Sequence, residues 1–236
     1  MAKIFRQDRK LWFRGFKKLI RLRYRRPRYI YLGEKPTTNS IVLANHVGAT
    51  GPLLLESYAE FPLRMWGTHE MNSGLRKLYN YQTKTYYHQK KGWNIHLARL
   101  FCLLASPLTY LFYKGLRLIS TYRDARLKRT LKESVAVMKN GENIVIFPEM
   151  SEEGYFDELR GFYSGFALLA ETFYKRGIDV LIYSSYYRRK DKVHIFDKPI
   201  RYSELKKIAT TREEMANYLL NQSNALGKME LPALPV

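Results

Sequence analysis

Two short apolar runs, about a hundred residues apart, constrain this chain more than any other feature. Ile41-Val42-Leu43-Ala44 stops abruptly at Asn45-His46, and Ile144-Val145-Ile146-Phe147 stops at Pro148-Glu149. Continuous β-branched runs bounded by turn residues are what strands buried on both faces look like. Each run delivers one ionisable side chain just past its carboxyl end. In open α/β sheets that is where ligands sit, so His46 and Glu149 are expected to share one crevice. A histidine that merely caps a strand end is the bland alternative, and the repetition of the pattern weighs against it.

The remaining pattern is that of strands alternating with helices. Pro52 to Tyr58, Asp124 to Lys139, Tyr163 to Tyr174 and Ser203 to Asn224 read as helices, and Asn140-Gly141 supplies a glycine terminator. Leu63 to Trp66, Gly115 to Ser120, Val180 to Tyr187 and Lys192 to Phe196 read as strands, the last two joined by a turn. Leu75 to Tyr87 is expected to be helical and partly exposed. This predicts one α/β domain over 41–227, with a mixed, largely parallel sheet flanked by helices. A basic amphipathic helix (1–28), a linker (29–40) and a loose tail (228–236) complete the chain.

Charge narrows the partners. Of 236 residues, 41 are Lys or Arg and 21 are acidic, a net charge of +20 that calls for an anionic partner. Twelve of the cations lie between Lys3 and Arg28, where Phe5, Trp12, Phe16 and Leu19 share one helical face with Ile20 beside them. A cationic helix with aromatic residues on its apolar side reads as an interfacial anchor on an anionic membrane, against a helix docked on the protein's own core. Zinc-ligand spacing, an RNA-recognition block and a helix-turn-helix are all missing, so no nucleic-acid partner is expected. The single cysteine, Cys102, excludes a disulfide framework and fits a reducing compartment. No cleavable signal peptide is expected. Leu100 to Tyr113 is free of charge for 14 residues but contains Pro107. That run is shorter than a bilayer span, so it reads either as a core helix or as one that dips into a membrane or lines an acyl chain.

At Asn45-His46 and Phe147-Pro148-Glu149 the sequence resembles the glycerolipid acyltransferase family, in particular the members that acylate lysophosphatidic acid. The family's first block is Asn-His, four residues and an Asp; its third is Phe-Pro-Glu-Gly-Thr-Arg after an apolar strand. Gly115 to Arg123, the helix to Lys139, Asn140-Gly141 and Gly161-Phe162 follow the family layout in order, so the likeness spans 41–200. It implies acyl transfer from acyl-CoA or acyl carrier protein to a hydroxyl of lysophosphatidic acid or a related lysolipid. The expected place is the cytoplasmic face of a membrane, with neither metal nor bound cofactor. It also implies His46 as general base, near an ordinary imidazole pKa. Asn45, Phe147, Pro148 and Ser151 are then expected to line the substrate.

Two departures stand out. Gly51 occupies the slot of the motif Asp, which in such sites orients the imidazole; in serine proteases neutralising the corresponding carboxylate costs about 10⁴ in turnover. Another carboxylate (Glu56, Glu70 or Glu149) can take over, a backbone carbonyl can fix the tautomer, or the chain binds anionic phospholipid without catalysis. The third block also lacks its Arg: Glu152 and Glu153 follow Ser151, within a run of five acids from Glu149 to Glu158. That run is either a solvated loop balanced by nearby cations or a functional acidic patch. Arg117, Arg123 and Arg160 are the cations expected to compensate.

Overall fold

The computed structural model describes residues 10–231; residues 1–9 of the basic segment, Phe5 among them, and 232–236 of the tail lie outside the described residues. Four strands run parallel: β2 (Ser40–Leu43), β3 (Leu63–Thr68), β4 (Ile119–Thr121) and β5 (Asn143–Ile146), with β4 at the edge. β6 (Leu181–Arg188) extends them in parallel beside β2, and β7 (Val193–Phe196) returns antiparallel through a hairpin. β1 (Arg28–Tyr31) pairs with β7, and the two-residue β8 (Ile200–Arg201) pairs with β6. The order is β1-β7-β6-β2-β5-β3-β4, a mixed and largely parallel sheet.

Helices cover both faces, and the period-two alternation of the strands divides the core accordingly. Ile41, Leu43, Ile144, Ile146 and Ile182 face α5 (Leu127–Lys139), α6 (Gly165–Tyr174), α7 (Tyr202–Ile208) and α8 (Arg212–Lys228). Val42, Ala44, Leu63, Met65 and Val145 face α1 (Leu11–Arg23), α2 (Thr50–Tyr58) and α4 (Ile95–Leu116). Two buried asparagines pin the register at either end. At the start of β5, the Asn143 carbonyl accepts from Ser40 N (3.0 Å) and its amide donates to Pro62 O (2.8 Å), tying β2 and β3 together. Past the other end of β2, Asn45 exchanges two hydrogen bonds with the Tyr187 backbone of β6 (2.7 and 3.1 Å). Each such bond contributes about 1 kcal/mol net, and losing one partner would strand buried polar groups.

Several boundaries differ from expectation. The 29–40 linker contains β1, because Tyr29, Ile30 and Tyr31 suit a strand and β7 offers a free edge. Gly115 and Leu116 belong to α4 rather than a strand; Arg117, in the left-handed region (φ 55°), ends that helix. The last helical segment is two helices, the second beginning at a Thr211–Glu214 capping box. Leu75 to Tyr87 divides into α3 (Leu75–Asn80) and a π-helix, Tyr81–Lys90. The apolar segment from Ile95 is a continuous 22-residue helix that Pro107 does not break, long and apolar enough by length and composition to cross a membrane. Arg99 and Lys114 near its ends had limited the charge-free run.

The helix α4 is not a core helix. Leu97, Leu100, Phe101, Leu103, Leu104, Leu108 and Leu111 are exposed, Leu104 by 78%. Its covered side meets α1: Phe13 is fully buried, and a Cβ on Gly115 would fall 2.0 Å from its ring. Of the expected apolar face of α1, Phe16 and Ile20 pack inward with Phe13, whereas Trp12 and Leu19 stay exposed with Leu11 and Leu22. Lys17 bonds Glu56 (3.2 Å) and Arg21 bonds Ser57 O (2.5 Å), locking α1 to α2.

His194 on β7 is fully buried, with its ring 4.6 Å from that of Phe196, and its Nδ1 has no hydrogen-bond partner among the described residues. Burial lowers its pKa to about 3. The unfolded chain, with an ordinary imidazole, therefore binds the extra proton between pH 3 and 6.5, and stability falls as pH drops through that window. His194→Phe is expected to reduce the stability lost between pH 7 and pH 5 by about 2 kcal/mol, measured by urea unfolding at the two pH values.

Candidate active site

Parallel pairing of β2 with β5 puts Leu43 opposite Ile146. His46 and Glu149 each lie three residues beyond those partners, so the two strands deliver them to the same place. The Glu149 carboxylate is buried and accepts from the His46 backbone N–H at 3.0 Å. Burial raises its pKa, while that hydrogen bond and Lys90 oppose the rise. A bridge between Glu149 and Phe162, with Met150 N to Gly161 O (2.9 Å) and Tyr163 N to Pro148 O (2.8 Å), closes the following loop at its base. Glu149 thus fixes the backbone of the histidine turn rather than its ring.

The imidazole is oriented by the main chain. Val47 and Gly48 both have positive φ (45° and 65°), folding the turn so that Gly48 O lies 3.0 Å from His46 Nδ1. A carbonyl can only accept, so Nδ1 carries the proton and Nε2 keeps its lone pair. Phe147 and Tyr155 lie tilted against the half-buried ring, with centroids at 4.6 and 5.3 Å. Burial lowers the His46 pKa to about 4; the Gly48 carbonyl opposes that, and the charge on Lys90 adds to it. The ring is therefore a neutral base with one defined acceptor nitrogen across the physiological range, well below the expected ordinary value.

The motif carboxylate at position 51 is sterically barred. A Cβ on Gly51 would lie 2.6 Å from Asn45 O and 2.7 Å from His46 O, both rigid backbone atoms, and Gly51 N donates to His46 O at 3.0 Å. The glycine allows α2 to start directly beneath the histidine turn; it does not leave room for a replacement acid.

The other expected residues divide. Ser151 is buried beside the site and accepts from Lys90 Nζ at 2.8 Å. Phe147 covers the imidazole, and Pro148 is buried behind it. The side-chain amide of Asn45 is occupied by Tyr187, so it holds the turn in place. Glu70 is bonded by Thr68 and by His69 Nδ1 (3.1 Å), and Glu56 by Lys17. Arg123 pairs with Glu152 (3.3 Å), Arg160 with Glu153, and Lys228 with Glu158 (2.6 Å), all on the surface. Apart from the buried Glu149, the acidic run is thus a solvated loop in which Glu152, Glu153 and Glu158 are balanced by cations, each exposed pair contributing under about 1 kcal/mol. Arg117 precedes β4, at the opposite end of the parallel strands from His46. There it lines a cavity of about 460 Å³ with Arg64, Lys114 and Glu133; neither His46 nor Glu149 lines it. No group of three or more metal-ligating side chains occurs among the described residues.

The chain is similar in structure to a known acyltransferase. That protein is the 1-acyl-sn-glycerophosphate (LPA) acyltransferase PlsC from Thermotoga maritima, at 15% identity and a TM-score of 0.49, covering 92% of this chain and 78% of that one. No family model matches the sequence, and no curated protein matches it.

Lys90 and Lys91 were not legible as site residues. They lie more than forty residues from His46, at the end of the π-helix, yet both ammonium groups stand over the Tyr155 ring (5.7 and 5.9 Å). Their only advance signal is a pair of adjacent cations just before a glycine.

Restoring the motif is expected to harm this protein. Gly51→Asp should destabilise it by about 2 kcal/mol or more through overpacking against the two carbonyls, without raising activity. Urea unfolding and an acyl-transfer assay on the same preparation check both parts.

Proposed function

We propose that this chain is an acyltransferase acting at a membrane surface. It moves a fatty acyl group from an acyl thioester, acyl-CoA or acyl carrier protein, to a hydroxyl of lysophosphatidic acid or a related lysolipid. The observation that carries this reading is His46, set beyond the strand ends with Nδ1 committed to Gly48 O and Nε2 left as the base. Nε2 takes the proton of the acceptor hydroxyl as its oxygen attacks the thioester carbonyl. Collapse of the tetrahedral adduct breaks the C–S bond, and the departing thiolate takes the proton back from the imidazolium. A carbonyl dipole supports that imidazolium in place of the motif carboxylate, so the tautomer is kept while some charge stabilisation is given up.

The exposed leucines of α4, with Leu11, Trp12, Leu19 and Leu22 of α1, support residence on one leaflet of an anionic membrane such as the cytoplasmic face offers. Basic residues flank this face: Arg14, Lys18, Arg99 and Lys114. Each adds about 1 kcal/mol near an anionic surface. Although α4 has the length of a span, α1, α3 and the π-helix pack along it. The strands before and after it, β3 and β4, are hydrogen-bonded to each other. A helix tethered in this way lies along the interface.

His46→Ala is expected to lower acyl transfer at least about 100-fold while leaving sedimentation with anionic vesicles intact. In the wild type, the acid limb of kcat/KM should fall near pH 4, because the neutral ring is the active form. A limb at pH 6.5 or above would contradict the lowered basicity of His46. If the wild type transferred nothing from either thioester to any lysolipid, the non-catalytic phospholipid-binding alternative would replace the enzyme.

Leu100→Asp combined with Leu104→Asp is expected to weaken partition onto vesicles containing phosphatidylglycerol at least about tenfold, each buried leucine contributing about 1.5–3 kcal/mol. Unchanged sedimentation would remove α4 from the membrane surface.

A further inference from the structure

The histidine turn is overhung by two cations that the proposed chemistry has not used. The π-helix Tyr81–Lys90 ends at Lys91, and Gly92 (φ 69°) turns the chain away while its N–H caps His88 O at 3.0 Å. π-Helical turns are rare and occur most often at functional sites. Here the helix end brings two consecutive side chains, which would diverge on a regular helix, over one aromatic ring. That ring, Tyr155, also lies 5.3 Å from the imidazole of His46. Lys91 Nζ comes within 3.9 Å of where a Cβ on Gly48 would sit, so it reaches the residue that orients His46. One aromatic ring therefore lies beside both ammonium groups and the imidazole of the base.

Neither lysine makes an ion pair among the described residues. The acids nearest Lys90 are already committed: Glu149 to the His46 backbone, and Glu152 to Arg123 and Tyr163. Lys90 is half-buried and donates to Ser151 Oγ at 2.8 Å, leaving two of its three N–H groups for a ligand. Burial pushes its pKa below the ordinary lysine value, as expected for a cation desolvated without a full counter-charge. The cationic faces over Tyr155 hold the pair in place while offering no anion. Arg123 and Arg160, by contrast, are consumed by the acidic loop.

We infer that Lys90 and Lys91, with the Ser151 hydroxyl, form a phosphate-binding site that positions a phosphorylated substrate against His46. The inference rests on the acyl-transfer reading for its catalytic meaning but not for the site itself. Two sources share the chemistry: the phosphate monoester of a lysolipid acceptor, and the phosphates of a coenzyme A-type donor. Either would supply the charge-assisted hydrogen bonds that the two ammonium groups lack.

The test uses the full chain and three preparations: wild type, Lys90→Gln/Lys91→Gln, and Lys90→Arg/Lys91→Arg. In calorimetry with glycerol 3-phosphate, the Gln pair should weaken binding at least tenfold and the Arg pair should restore it, with near-ultraviolet circular dichroism confirming the fold. If the Gln pair fails to fold, Lys91→Gln alone, at the exposed position, carries the same comparison. Equal binding by wild type and Gln variants overturns the site, and it does so whether or not the protein transfers acyl groups. Loss of binding in a protein that shows no transfer keeps the site and rejects the acyltransferase.

Kinetics then name the source. A fall of at least tenfold in the kcat/KM preference for lysophosphatidic acid over monoacylglycerol, carried by KM, assigns the acceptor phosphate. A KM change with acyl-CoA that disappears with an acyl N-acetylcysteamine thioester assigns the donor. Uniform changes across all four substrates would mean that the lysines act structurally, and would overturn the proposal.

Discussion

The hydrogen bond from the His46 backbone to the buried Glu149 carboxylate joins the two halves of the chain at one point. It exists because β2 and β5 are adjacent, parallel and in a register that gives both residues the same offset. Asn143 fixes that register at one end of the strands, and Asn45 fixes β6 at the other. The Glu149–Phe162 bridge then forms the base of the loop that carries Tyr155. Shifting any of these pairings would move the imidazole, the ring that covers it and the lysines above that ring. A buried carboxylate is costly unless hydrogen-bonded, so its bond to the turn couples folding to site geometry.

Main-chain geometry does at this site what a side chain does in the motif it resembles. Positive φ at Val47 and Gly48 brings a carbonyl to Nδ1, and the absence of a Cβ at Gly51 lets two further carbonyls close in behind. A carboxylate at position 51 and this turn are mutually exclusive. The two devices agree on the tautomer and differ in charge, since a dipole stabilises an imidazolium less than an anion does. The charge on nearby Lys90 increases that difference by lowering the basicity of His46.

Much of the framework was readable in advance because buried parallel strands leave little choice of residue. Ile41–Ala44 and Ile144–Phe147 could hardly be anything else, and the turns that follow them marked His46 and Glu149. β1 was hidden because Tyr29 and Tyr31 are only half-buried and pair with an edge. The end of α4 was misplaced because Gly115 looks like a break, when its missing side chain is filled by Phe13. The acidic run could be read either way until each of Glu152, Glu153 and Glu158 was found beside its own cation.

The sequence by itself determined the alternation of strands and helices, the basic surplus, and the two residues that end the central strands. These follow from local composition and period, which act over a few neighbouring residues. Tertiary structure alone decided which carbonyl holds the imidazole, why position 51 must be glycine, and which cations reach the site. It also decided that the apolar side of α4 faces outward, since an apolar run reads the same whether protein or lipid covers it. Those outcomes depend on atoms brought together from distant parts of the chain, and no local pattern encodes such distances.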